Sequence, residues 1–201
     1  MKISIIDYNA GNLRSIEKAF AKLGCEATVT KNPAGWKNSD ALVLPGQGTF
    51  ANIKSIKAQA ELVDIISTGK PFLGICLGLQ LLFEKSEESK EKGLGLLKGT
   101  VELMKPNGNL NVPQMGWNTL LFRVSGFGSC LLDGIKETDY FYFVHSYVVK
   151  KSPAAAALTD YGGKFVSVIE KGNIFATQFH PEKSGETGFR VLRNFLNAVK
   201  H

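Results

Sequence analysis

The chain of 201 residues is 44% hydrophobic and 21% charged, a balance that suits one compact domain over 1–201 burying roughly 70% of its unfolded surface. Its apolar runs fall short of the roughly 18 residues of a membrane span, and MKISIIDYNAGN is too short in apolar residues, without a cleavage-like site, for a signal peptide, so a cytoplasmic protein without a membrane role is expected. The formal charge of +6 is scattered, with Lys150-Lys151 the longest basic run and no interleaved aromatics, which argues against nucleic acid and for a mildly basic surface facing an acidic partner or substrate.

In chain order, KISII (2–6) is predicted as a buried strand. Leu13, Ile16, Phe20 and Leu23 follow at helical spacing before Gly24. EATVT (26–30) and ALVL (41–44) are further strands, and Ile53, Ile56, Leu62, Ile65 and Ile66 suggest helix up to Gly69. FLGI (72–75) then leads into a predicted helix LGLQLLFE, after which the charge-rich KSEESKEKG (85–93) is expected to be a solvated connector. Alternating strands and helices imply a parallel sheet covered on both faces. The second half differs. TVELM, NTLLF, YFYFV, AAAALT, KFVSVI and NIFATQF are strand-like runs separated by PNGN, SGFGS, YGGK and EKGN, so antiparallel pairing is expected there. Phe189, Leu192, Phe195, Leu196 and Val199 mark a closing amphipathic helix. The fold class is therefore α/β, with a mixed, mainly parallel central sheet flanked by helices and an additional antiparallel region.

Gly74-Ile75-Cys76-Leu77-Gly78 has the form of a nucleophile elbow, with sulfur in place of oxygen. A strand turning sharply into a helix crowds its neighbours two residues either side of the apex, and glycine relieves both clashes. The apex side chain then sits at a helix N-terminus, where free N–H groups favour a thiolate. A small buried core cysteine is the competing reading. Gln80 lies one turn on, on the same helix face, among leucines on the other faces; a polar ligand beside the thiol, or local backbone, would satisfy its amide.

A thiolate nucleophile needs a base with an orienting group. Of the three histidines, His201 is terminal and His145 ends YFYFV, where a packed structural ring is plausible. His180 is followed by Pro181 and Glu182, and in an extended segment residues two apart project to the same side, so imidazole and carboxylate would meet. No P-C-x-x-C follows this H-x-E, so the zinc deaminase pattern is not met. With Cys25, Cys76 and Cys130 forming no C-x-x-C and no H-x-x-x-H present, neither a disulfide framework nor a metal site is indicated. Pro45-Gly46-Gln47-Gly48 leaves strand ALVL, and its backbone, with the N–H of Leu77, could face an oxyanion; a plain structural turn explains the motif as well. There is no phosphate-binding G-x-x-x-x-G-K-[ST].

Elbow, P-G-x-G loop and Q-F-H-P-E, in that order, resemble the class I glutamine amidotransferases. The likeness runs from IIDYNAGN (5–12) through LPGQGTF, GICLGLQLLF, KGLGLLKG, VPQMGWN and YFYFVHSY to FATQFHPEKSG (175–185). PQMGWN with YFVHSY is similar to the glutaminase subunits of imidazole glycerol phosphate synthases, although position 114, glutamine here, is more often histidine in that pattern. The resemblance implies Cys76 as nucleophile, His180 as acid/base and Glu182 as its orienting carboxylate. It further implies that Gly46, Gln47, Gly48 and the N–H of Leu77 form or gate the oxyanion hole, and that Gln80 with Ser146 and Tyr147 holds the glutamine head group. It implies no cofactor or metal, and a (β/α)₈ cyclase subunit as partner, met near Asn12, Met115, Trp117, Asn118 and Lys183. Two alternatives remain at this level: a glutaminase feeding another synthase, and a docking subunit with little hydrolysis of its own.

Overall fold

The computed structural model describes residues 1–9, 11–122 and 128–200. The elements run β1 (Lys2–Ile6), α1 (Leu13–Lys22), β2 (Glu26–Thr30), α2 (Pro33–Asn38), β3 (Ala41–Leu44), a 3₁₀ segment (Phe50–Ser55), α3 (Gln59–Ser67), β4 (Phe72–Ile75) and α4 (Leu77–Gln80). The second half holds β5 (Phe83–Ser86), β6 (Ser89–Lys92), β7 (Leu97–Leu103), β8 (Gln114–Asn118), β9 (Leu121–Phe122), β10 (Phe141–His145), β11 (Tyr147–Val148), β12 (Ala155–Asp160), β13 (Lys164–Lys171), β14 (Ile174–Thr177), a 3₁₀ turn (Pro181–Lys183) and α5 (Gly185–Val199). Three residues of the predicted turn SGFGS, 125–127, and His201 lie outside the described residues.

Eight strands form the main sheet in the order β2-β1-β3-β4-β14-β13-β12-β9. Its first five strands pair parallel and the remaining pairs are antiparallel, which is the mixed sheet expected from the change of pattern at mid-chain. Alternate residues of β3 feed opposite layers, as the two-residue strand period requires. Ala41 and Val43 join a core with Ile16, Phe20, Leu192 and Phe195 from α1 and α5, while Leu42 and Leu44 pack with Trp36, Leu62 and Ile66 from α2 and α3. A smaller sheet, β11-β7-β5-β6, and a β8–β10 ladder complete the chain. Among the described residues no helix is long and apolar enough to cross a membrane.

Three local expectations change. The short helix α2 shows no periodicity in sequence; it forms because Pro33 opens it and the Asn32 side chain accepts from the Ala34 N–H at 2.9 Å. The predicted helix LGLQLLFE ends at Gln80, because the carbonyls of Leu81 and Leu82 accept from the N–H groups of Leu94 and Leu97 at 2.7 and 2.9 Å, drawing the chain off the helix and into β5. The charged connector is the β5–β6 hairpin, and its turn carries Glu88 to the site described next.

Candidate active site

β3, β4 and β14 are adjacent and parallel at the middle of the sheet. Their carboxyl ends therefore share one edge, where open α/β sheets gather ligands. From these ends leave the Pro45–Gly48 loop, the Cys76 turn and the His180–Glu182 segment, which brings together residues separated by more than a hundred positions in the chain.

Cys76 stands between β4 and α4 with φ 53° and ψ −103°, a strained backbone for any side chain with a Cβ. Its N–H donates to the Thr177 carbonyl at 2.7 Å, tying the apex to the end of β14. The glycine pattern has a direct steric cause. A Cβ on Gly78 would lie 1.9 Å from the Leu44 carbonyl oxygen, and one on Gly74 would lie 2.6 Å from the Gly78 oxygen. A Cβ on Gly46 would come within 2.3 Å of the Leu77 Cβ, so glycine there lets the loop lie directly on the elbow. Gly78→Ala is expected to cost about 3 kcal/mol or more, since only backbone can yield; urea unfolding followed by circular dichroism measures it, and an unchanged midpoint would contradict this packing.

His180 Nδ1 and Glu182 Oε1 are 2.7 Å apart, with both side chains buried. The segment after His180 is a 3₁₀ turn rather than the extended strand expected, because proline suits the first position of a helical turn; the short turn still puts both groups together. Glu182 Oε1 also accepts from the Asn12 side-chain amide. Burial opposes charge on the imidazole, but a negative Cys76 and the Glu182 carboxylate outweigh it and push His180 up to about 10. Among the described residues His180 Nε2 is buried with no partner at hydrogen-bond distance, and the ring's remaining interaction is with the Cys76 sulfur. Cys76 Sγ approaches the Val144 carbonyl at 3.7 Å and receives the Gln178 amide at 3.5 Å.

A cavity of about 290 Å³ opens beside the sulfur. Its wall includes Gly46, Gln47, Gly48, Cys76, Leu77, Gln80, Ser146 and Tyr147. Leu77 opens α4, so its N–H has no acceptor within the helix. The Gln47 carbonyl accepts from the Gly11 N–H at 3.0 Å, and buried Tyr8 donates its hydroxyl to the Pro45 carbonyl, which fixes the loop from behind. Burial, and secondarily a negative Cys76, push the Tyr8 phenol well up. Gln80 Nε2 donates to the Tyr147 carbonyl at 2.9 Å and to Gln178 Oε1 at 3.2 Å, so local groups already satisfy that end of its amide.

Two side chains of this wall, Glu88 and His145, and one buried behind it, Gln178, have site contacts that no sequence pattern assigned. Glu88 lines the cavity and accepts from the Phe50 N–H at 2.7 Å; the charge run around it hides a single inward residue. Gln178 is fully buried and bridges Gln80 to the sulfur; its place two residues before His180 was the available signal. His145 packs its ring against Phe143 and Phe165, as the structural reading holds, yet it also lines the cavity. Among the described residues neither of its ring nitrogens has a partner at hydrogen-bond distance, nor does Oε1 of Gln114, its cross-strand neighbour.

Burial first, and the charge of His180 after it, hold His145 down at about 3 despite the Tyr147 backbone. An unfolded histidine binds its proton below about 6.5. Between the two values the unfolded chain carries a proton the folded chain refuses, so this residue lowers stability as pH falls from about 6.5 towards 3, by about 1.4 kcal/mol per pH unit. The raised His180 acts in another window, contributing stability below 6.5 that is lost as pH rises through about 10. His145→Phe is expected to flatten the decline in urea midpoint between pH 6 and 4; an unaltered slope would show that this ring is protonated in the fold.

The residues expected near a partner fall into two sets. Met115 and Trp117 project from the same side of β8 and are 66% and 56% exposed, with Trp117 edge-on to Tyr142 at 5.9 Å and Lys183 over the Tyr142 ring at 5.8 Å. Asn118 has the opposite strand parity, its amide donating to the Asp160 carbonyl at 3.0 Å, and Asn12 is joined to Glu182. Among the described residues no cluster of three or more His, Cys, Asp or Glu side chains is placed to hold a metal ion.

The sequence matches the family described as Glutamine amidotransferase class-I over residues 4–199. It is 51% identical to "Imidazole glycerol phosphate synthase subunit HisH" of Methanothermobacter thermautotrophicus over 98% of this chain and 99% of that protein. It is 48% identical to the protein of the same name from Caldanaerobacter subterraneus over 98% of each. A solved structure titled "Crystal structure of glutamine amidotransferase" shares the fold with a TM-score of 0.76 at 19% identity, covering 99% of both chains. The chain therefore belongs to the class-I glutamine amidotransferases, in the branch of the imidazole glycerol phosphate synthase HisH subunits.

Proposed function

We propose that the whole chain, residues 1–201, acts as one glutaminase domain that supplies ammonia to a (β/α)₈ cyclase subunit of an imidazole glycerol phosphate synthase in histidine biosynthesis, in the cytoplasm. Cys76 thiolate attacks the side-chain carbonyl carbon of glutamine. The oxyanion that forms is met by N–H groups of Leu77 and of the Gly46–Gly48 loop. The C–N bond then breaks, and the departing nitrogen takes a proton from His180 imidazolium and leaves as ammonia. Neutral His180 next removes a proton from water, whose oxygen attacks the thioester; the C–S bond breaks, releasing glutamate and restoring thiolate and imidazolium. Glu182 holds the ring by Nδ1 throughout, and Gln80, Ser146 and Tyr147 seat the substrate. Met115, Trp117, Asn118 and Lys183 are assigned to the partner interface with Asn12.

The observation that carries this reading is the meeting of three strand ends: Cys76 on its elbow, the His180–Glu182 pair just past the adjoining strand, and the Gly46 loop, which with Gln80 lines a cavity beside the sulfur. The experiment mixes the chain with glutamine, a purified cyclase subunit and the cyclase's own ligand, and measures ammonia and imidazole product. Ammonia formed and consumed in step with product supports the reading. Absence of hydrolysis in the complete mixture would leave only a docking subunit, and coupling to a different synthase would reassign the pathway.

A further inference from the structure

Glu182 is held in an unusual way for a buried carboxylate. Its Oε1 receives both of its hydrogen bonds, from His180 Nδ1 and from Asn12 Nδ2, while its Oε2 is buried with none. Among the described residues, Asn12 is thus the one group other than the imidazole itself that orients this carboxylate. Asn12 also gives up its ordinary local role. It stands at the N-terminus of α1, where asparagine normally caps by accepting from the first N–H groups, but its side chain makes no cap bond. Its backbone is left-handed, with φ 77°, and the adjacent Gly11 N–H is fastened to the Gln47 carbonyl. A forgone cap and a strained backbone, both aimed at an acid on the far end of the chain, are costs that tend to persist where a site needs them.

We propose that Asn12 is a positioning residue of the glutaminase centre, whose amide turns Glu182 so that Oε1 faces His180 Nδ1 and leaves Nε2 for the sulfur. This rests on the reading of Glu182 as the orienting acid, and it gives position 12 a task inside the chain as well as the partner contact suggested by resemblance. Asn12→Gly is the clean probe, because glycine accepts the left-handed backbone while removing the amide.

The test follows the His180 ring by nitrogen-15 NMR across a pH titration of the isolated full chain, so that partner docking plays no part. The groups around the ring are Cys76, Glu182 and His145, with Tyr8 behind Cys76. Asn12→Gly should move the His180 titration towards lower pH, part of the way to the value in Glu182→Gln. With a saturating cyclase subunit, Asn12→Gly should lower kcat about tenfold at unchanged KM, the scale of one hydrogen bond to a charged group. A wild-type titration in Asn12→Gly while Glu182→Gln is displaced would overturn the role of Asn12 alone. If Glu182→Gln is not displaced either, the carboxylate does not act on the ring, and the orienting role of Glu182 falls with the inference.

Discussion

Alanine at position 76 is expected to leave a folded chain that binds glutamine but releases ammonia on the order of 10⁵ to 10⁶-fold more slowly, the loss seen when a nucleophile that works as a unit with its base is removed. The fold should persist. Alanine keeps a Cβ at the strained φ of 53°, so no new strain arises and none is relieved. Apart from its charge interaction with His180, the sulfur's contacts are weak ones, to the Val144 carbonyl at 3.7 Å and the Gln178 amide at 3.5 Å, so the unfolding free energy should fall by no more than about 2 kcal/mol. Separating the two readouts matters because the elbow is the most crowded turn at the site. Steady-state ammonia release with a saturating cyclase subunit gives the first, and urea unfolding the second. Undiminished ammonia release from Cys76→Ala would sink the covalent mechanism.

The elbow and the His-Pro-Glu segment were legible in the sequence because each is a local device. Glycine at 74 answers a clash with the Gly78 carbonyl four residues on, though the clash at Gly78 itself is with Leu44 of the neighbouring strand, and Pro181 dictates a turn whose geometry depends little on the rest of the chain. Their meeting was not legible from spacing, since it requires β4 and β14 to pair in parallel, and only the resemblance to a family suggested it. The cavity's remaining wall is tertiary in origin. Glu88 reaches it because the carbonyls of Leu81 and Leu82 are captured by Leu94 and Leu97, ending a helix that leucine periodicity alone would continue. Gln178 stands out only once Gln80 and Cys76 are seen on either side of it. The same limit applies to Asn12: the resemblance places it near a partner, and its bond to Glu182 depends on contact across 170 positions.

Glu182→Gln is expected to lower kcat by up to about 10⁴-fold, the size of the orienting acid's effect in triads generally, with little change in KM. Glutamine is nearly the same shape, so the substitution removes charge while leaving an acceptor in place. Which end of the new amide faces His180 then decides the size of the loss. If its N–H₂ faced Nδ1, the ring would be driven to the tautomer that places its proton on Nε2, where a neutral ring could no longer accept one from the sulfur or from water. Asn12 opposes this, because its Nδ2 is a donor and selects the carbonyl end of residue 182 for the side shared with His180. The correct tautomer is thereby kept, and what disappears is the stabilisation of imidazolium: without the carboxylate, burial pulls His180 down from about 10. The loss should accordingly deepen when Asn12→Asp is added to Glu182→Gln, as an acceptor at position 12 would turn the amide around. Steady-state kinetics of the two variants with a saturating cyclase subunit measure this; equal kcat in both would show that position 12 does not select the end of residue 182 facing the ring, and a Glu182→Gln enzyme as fast as wild type would show that the carboxylate does not govern the ring.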